Sequence, residues 1–145
     1  MIEVRPATSA QEFIRLHVLI DEMAIWDAEM SGRAGFSAEA VHDAYYRKSA
    51  EDLRAHLTAS DATMLMAREG DELLGCLGFD RFDADTAEVQ KFFVAPDARG
   101  RGIGRALIGA LIPCMTAAGY RAACLETATF MADAIALYGK AGFRV

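Results

Sequence analysis

Val94-Ala95-Pro96-Asp97-Ala98-Arg99-Gly100-Arg101-Gly102-Ile103-Gly104 is the stretch on which the reading of this chain turns. It follows Glu88-Val89-Gln90-Lys91-Phe92-Phe93-Val94, whose β-branched and aromatic content marks a strand; Pro96, with no N–H to give a sheet, stops it. It precedes Ile103, Leu107, Ala110, Leu111, Cys114 and Ala118, the apolar face of a helix that ends at Gly119 and that Pro113 is expected to kink. Gly100, Gly102 and Gly104 allow positive φ and put no Cβ in the way of a ligand, while the helix start adds unpaired amides and the positive end of its dipole. Arg99, Arg101 and Arg105 gather positive charge into this one segment of a chain whose net charge is −6. The segment therefore reads as a cradle for a phosphorylated ligand.

Three kinds of phosphate loop compete for this reading. A nucleotide-triphosphate loop ends in Gly-Lys-Ser/Thr, because the lysine reaches the terminal phosphates and the hydroxyl binds magnesium; here the corresponding residues are Gly104-Arg105-Ala106. A dinucleotide fingerprint wants a third glycine where this chain has Arg105 or Leu107. Glu126 lies where a ribose-binding acid would sit, but the strands upstream form an antiparallel meander rather than a βαβ opening. What remains is Arg-x-x-Gly-x-Gly, carried by Arg99, Gly102 and Gly104.

Working outward, Met64–Ala67 and Leu73–Phe79 are apolar runs parted by Glu69-Gly70-Asp71, an antiparallel hairpin, and a turn at Asp83-Ala84-Asp85 leads into the third strand. Glu3 between Ile2 and Val4 marks a short first strand ending near Pro6. Ser9 with Glu12 forms a capping box ahead of Phe13, Leu16, Leu19, Ile20, Met23 and Trp26, and Gly32 and Gly35 interrupt that helix. Ser37 and Ser49 cap two shorter helices, one with Val41, Ala44 and Tyr45, the other with Leu53 and Leu57. Downstream, residues 120–127 read as a further strand and Phe130, Ala134, Leu137, Tyr138 and Ala141 as one face of a final helix. With 145 residues and no linker or repeat, residues 1–145 form one α/β (α+β) domain.

With Leu137-Tyr138-Gly139-Lys140-Ala141-Gly142-Phe143 added to the loop, the chain resembles the GNAT superfamily of N-acyltransferases over about residues 62 to 143. The resemblance implies a mixed, mostly antiparallel central sheet flanked by helices. It implies acetyl-CoA as cosubstrate, its pyrophosphate held by Arg99, Gly100, Arg101, Gly102, Ile103, Gly104 and Arg105. The pantetheine arm would pair with the strand end at Phe92, Phe93 and Val94. The expected acceptor is an amine of a small molecule or a protein, and no metal is implied.

Transfer to an amine needs the neutral form, whereas an alkylammonium holds its proton to about pH 10. Relatives often place a glutamate where Glu88 stands, and in an unbroken strand Glu88, Gln90, Phe92 and Val94 share a face. Glu88 is thus the candidate base, its alternative an exposed strand carboxylate. Tyr138 matches the residue that protonates the departing thiolate in many relatives; its alternative is a core tyrosine. A backbone N–H near Val94 is the candidate donor to the developing oxyanion.

Other residues are read as structural. His17, His42 and His56 lack metal-ligand spacing and read as surface histidines; Cys76, Cys114 and Cys124 lack paired spacing and read as small core residues. Asp21, Glu22, Asp27 and Glu29 read as a solvated helix face, and Met23, Trp26 and Met30 as core packing, with the wall of an acceptor pocket as their lesser alternative. The acidic balance argues against a nucleic-acid or anionic-membrane partner, and the absence of a long apolar run or leader pattern leads us to expect a cytoplasmic protein. Two features depart from the family pattern. Met131 stands where many relatives have an asparagine that contacts the coenzyme. The sequence stops at Val145, where relatives continue with two strands, so the edge of the last strand is expected to pair with another chain as a homodimer or with a tail. A non-catalytic acyl-CoA-binding module is the alternative function, and a dinucleotide-binding fragment a minor one.

Overall fold

The computed structural model of the protein describes residues 1–128 and 131–145, with the side chain of Ala44 left aside; Phe130, expected on the last helix, lies outside them. Five strands form one sheet in the order β1-β2-β3-β4-β5: β1 (Glu3–Pro6), β2 (Thr63–Glu69), β3 (Glu72–Arg81), β4 (Thr86–Val94) and β5 (Ala122–Leu125). The first four pair antiparallel, β2 with β3 and β3 with β4 across short turns and β1 with β2 across the intervening residues 7–62; β5 pairs parallel to β4 because α4 (Ile103–Ala117) carries the chain back across the sheet. The mixed, mostly antiparallel sheet expected from the sequence is therefore present.

Both faces of the sheet are covered, which explains why β3 reads as a run rather than as an alternation: Leu74 through Phe79 are all buried. A Cβ on Gly75 would meet Ile103 and Leu107, so that face of β3 lies on α4. Asp80, on the opposite face, meets His56 of α3 (Ala50–Leu57), and α1 (Ala10–Arg33) packs against β3 and β4. Phe13, Leu16, Leu107 and Leu111 are each at most 1% exposed and fill the two layers.

The helix starts follow the sequence closely. Ser9 accepts from the Glu12 N–H while the Glu12 carboxylate accepts from the Ser9 N–H, and Ser37 and Ser49 cap α2 (Ala38–Tyr45) and α3 by accepting from the Ala40 and Asp52 N–H groups. Three expectations fail. Gly32 does not interrupt α1, which runs to Arg33 and ends before Gly35, whose φ of +91° a residue with a Cβ resists. The last strand is shorter than residues 120–127, because Tyr120 turns back to stack edge-on against Phe79. Asp27 is not on a solvated face: it is 7% exposed and accepts from Ser31 Oγ at 3.0 Å and Tyr46 Oη at 2.8 Å. α4 remains one helix through Pro113.

Candidate active site

β4 is not an unbroken strand. Gly78 pairs with Gln90 and Cys76 with Phe93, so two residues of β4, Lys91 and Phe92, stand opposite Leu77 alone. Lys91 takes φ +59°, and its Nζ donates to the Tyr45 carbonyl and sits 5.0 Å over the Tyr46 ring. Burial lowers the proton affinity of this ammonium. The bulge overturns the shared face expected for Glu88, Gln90, Phe92 and Val94. Glu88 and Gln90 pair with Asp80 and Gly78 on the α1/α3 face, with Phe93, whereas Val94 pairs with Gly75 on the α4 face. Phe92 joins Val94 there, against Tyr138 and Gly104.

The bulge also marks where β4 and β5 part. Their pairing covers only Thr86–Val89 with Ala122–Leu125, so from Gln90 onward that edge of β4 carries no strand among the described residues. The chain then makes a 3-10 turn at Pro96–Ala98 and enters α4. Gly100 and Gly102 have φ of +81° and +79°, and Gly102 is the left-handed N-cap of α4 with no side-chain cap. The first helical bond runs from the Ala106 N–H to the Gly102 carbonyl, which leaves the amides of Ile103, Gly104 and Arg105 ahead of the hydrogen-bond ladder.

Loop, bulge and α1 meet at a cleft of about 370 Å³, within the range of small-molecule sites. Phe92, Phe93, Val94, Arg99, Gly100, Gly102, Ile103, Gly104 and Arg105 all line it, as do Met23, Trp26 and Met131. Arg101 does not: its guanidinium is turned to Glu69 at 2.8 Å. Arg99 is fixed by its Nε–H, which donates to the Val94 carbonyl at 3.2 Å, and its guanidinium lies 5.5 Å from the Phe93 ring and 5.8 Å from that of Trp26. A Cβ on Gly104 would stand 3.1 Å from both Phe92 and Leu137, so glycine here brings α4 against the bulge.

Glu88 is half-buried beside the cleft rather than in its wall, and burial, Asp80 and Glu126 raise its proton affinity, in that order. Tyr138 lies behind Phe92, ring centres 5.6 Å apart, and against Phe143 at 5.7 Å. Burial pushes its phenol up, so it stays protonated at neutral pH. Sequence reasoning missed two groups. His56 is not an ordinary surface histidine: its Nε2 is 2.7 Å from Asp80 Oδ2. Its partner drew no attention because the contact spans from a helix to a strand. The cysteines are free, with Cys76 buried and Cys114 and Cys124 half-buried. A second groove, of about 520 Å³, follows the outer edge of β5 past Cys124 and Phe143.

The sequence and the fold have counterparts in known proteins. The chain is 40% identical over 89 residues to an IAA acetyltransferase of Azospirillum brasilense, covering 60% of this chain and 58% of that protein. It is 30% identical over 124 residues to a mycothiol acetyltransferase of Clavibacter sepedonicus, covering 86% of this chain and 40% of that protein. The chain thus spans only about half the length of these curated relatives. The crystal structure of the PaiA N-acetyltransferase from Thermoplasma acidophilum in complex with coenzyme A superimposes with a TM-score of 0.79 at 23% identity, covering 100% of this chain and 91% of that one. The model of the acetyltransferase (GNAT) family matches residues 23–143, which contain the bulged strand, the glycine loop and the uncapped start of α4, and the chain belongs to that family.

Proposed function

We propose that the protein transfers an acetyl group from acetyl-CoA to a primary amine of a small molecule or a protein, by direct attack in a ternary complex. The observation that carries this reading is the uncapped, left-handed start of α4 opening into the same cleft as the unpaired edge of β4. The amides of Ile103, Gly104 and Arg105, with the helix dipole and the nearby Arg99 and Arg105 charges, suit a pyrophosphate. The free edge from Gln90 to Val94 suits the amide-bearing pantetheine arm as a strand would. In the transfer, the amine nitrogen attacks the thioester carbonyl, the C–S bond breaks and the thiolate takes a proton. Glu88 removes the amine proton, supported by its raised affinity; a backbone N–H near Val94 meets the oxyanion; Tyr138 returns a proton to sulfur. Trp26 and Met23 bound the acceptor side.

Acetyl-CoA and CoA should raise the melting temperature while NAD and ATP do not; stabilisation by NAD alone removes the reading. Glu88→Gln should lower kcat/KM for amine about 100-fold or more with the CoA Kd unchanged, and Tyr138→Phe should lower kcat. Unchanged turnover in both, with binding intact, leaves a non-catalytic acyl-CoA-binding module. We further propose a homodimer formed at the open edge of β5 and, among the described residues having no helix long and apolar enough to cross a membrane, a cytoplasmic location.

A further inference from the structure

Asp80 and Glu88 are direct partners in the β3–β4 register and occupy the same face of the sheet. Side chains so placed have Cβ atoms about 4.5–5.5 Å apart, close enough for two carboxyls to touch. The environment of the pair is asymmetric. His56 Nε2 holds Asp80 Oδ2 at 2.7 Å, with side-chain exposures of 36% and 18%. The other oxygen, Oδ1, is buried and accepts no hydrogen bond among the described residues. Glu88 likewise has no hydrogen-bond partner among them, although it is half-buried. Two ionised carboxylates in this arrangement would repel, and Oδ1 would remain desolvated without a donor. A proton arriving on Glu88 removes both costs, because the new O–H can donate to Oδ1.

We propose that Asp80 is a positioning residue for Glu88: clamped by His56 through Oδ2, it presents Oδ1 to Glu88 as the acceptor for the proton that Glu88 takes up. The inference rests on the reading of Glu88 as the base. When the substrate ammonium yields its proton, the N–H bond breaks, an O–H bond forms on Glu88, and Oδ1 accepts the hydrogen bond of that new acid. The other titratable groups facing Glu88 are Cys124, its register partner on β5, Glu126 just beyond that strand, and His56 behind Asp80. Glu126 adds negative charge from the open side and favours the protonated form of Glu88, and burial raises the Cys124 thiol above its usual range.

The test is a carboxyl-carbon NMR titration of the full chain labelled at aspartate and glutamate, between pH 4 and 9. In the wild type the Glu88 signal should titrate above the ordinary glutamate range, as a half-buried carboxyl beside negative charge does. In Asp80→Asn the Glu88 midpoint should fall by about one pH unit, since a nearby negative charge is gone. The acidic limb of kcat/KM should move down with it, while the KM for acetyl-CoA stays put. A wild-type Glu88 midpoint at the ordinary glutamate value overturns the proposal, as does an unmoved Glu88 midpoint in Asp80→Asn. Should that variant not fold, the wild-type curve alone decides. Wild-type turnover in Glu88→Gln would remove the base assignment, whereas the titration judges the Asp80 contact separately.

Discussion

At the scale of single residues, the loop depends on backbone conformations that most side chains resist. Gly102 has open space around a would-be Cβ, yet its φ of +79° makes any substitution strained. Gly102→Ala should therefore cost about 1–2 kcal/mol and weaken acetyl-CoA binding by tenfold or so, read by denaturant titration and by calorimetry. Glu12 is the counterpart in the scaffold. Amide donors at Thr8 and Ser9, with Arg5, lower its carboxyl from 4.5 to about 2, and its side chain is only 15% exposed. Because the folded value lies below the unfolded one, its stabilisation is complete above about pH 4.5 and is lost as pH falls towards 2. Allowing for partial exposure, urea denaturation should show about 1–2 kcal/mol less stability at pH 3 than at pH 6 from this group, and Glu12→Gln should remove that difference. Both residues were legible in the sequence: a glycine after an arginine-rich turn and a serine–glutamate box act locally. Asp27 and His56 were not, since their partners Tyr46 and Asp80 come from other elements.

At the scale of elements, periodicity located the helices and strands but not the irregularity that makes the site. Nothing in Glu88–Val94 distinguishes a regular strand from a bulged one, because Lys91 is a common strand-edge residue and its positive φ is imposed by tertiary contacts to Tyr45 and Tyr46. One extra residue reversed which side chains share a face, so Glu88 and Phe92 were grouped wrongly even though both were singled out. α5 (Ala132–Lys140) shows a gap of another kind. Its N-cap is Met131, which offers no side-chain oxygen to the first-turn amides and lines the cleft. Met131→Asn should raise stability by about 0.5–1 kcal/mol through capping and tighten the coenzyme, measured by thermal melts with and without CoA. A lower melting temperature would mean that the thioether's packing outweighs the cap.

At the scale of the whole molecule, the sheet order follows from two hairpins, the return of residues 7–62 and one helical crossover, and the family was readable once the glycine loop was joined to residues 137–143. The edges were less so. Among the described residues β5 pairs on one side only, beside a groove lined in part by Leu125 and Phe143. Sedimentation velocity should give a concentration-dependent dimer, and replacing Ala123 with lysine, which sets a charge on that short edge, should shift it to monomer without changing CoA affinity. A monomer at all concentrations would contradict strand pairing through β5. The acceptor stays the least legible feature, because Met23 and Trp26, which line the cleft from α1, belong to no motif.

The parting of β4 from β5 after Val89 reaches beyond the chemistry. On the proposed reading, the cross-strand bonds that a peptide neighbour would make from Gln90 to Val94 are made by a metabolite, so each turnover zips and unzips a stretch of sheet. The intracellular thioester pool then becomes a stabilising partner of this enzyme, and starvation for it would loosen the protein as well as idle it.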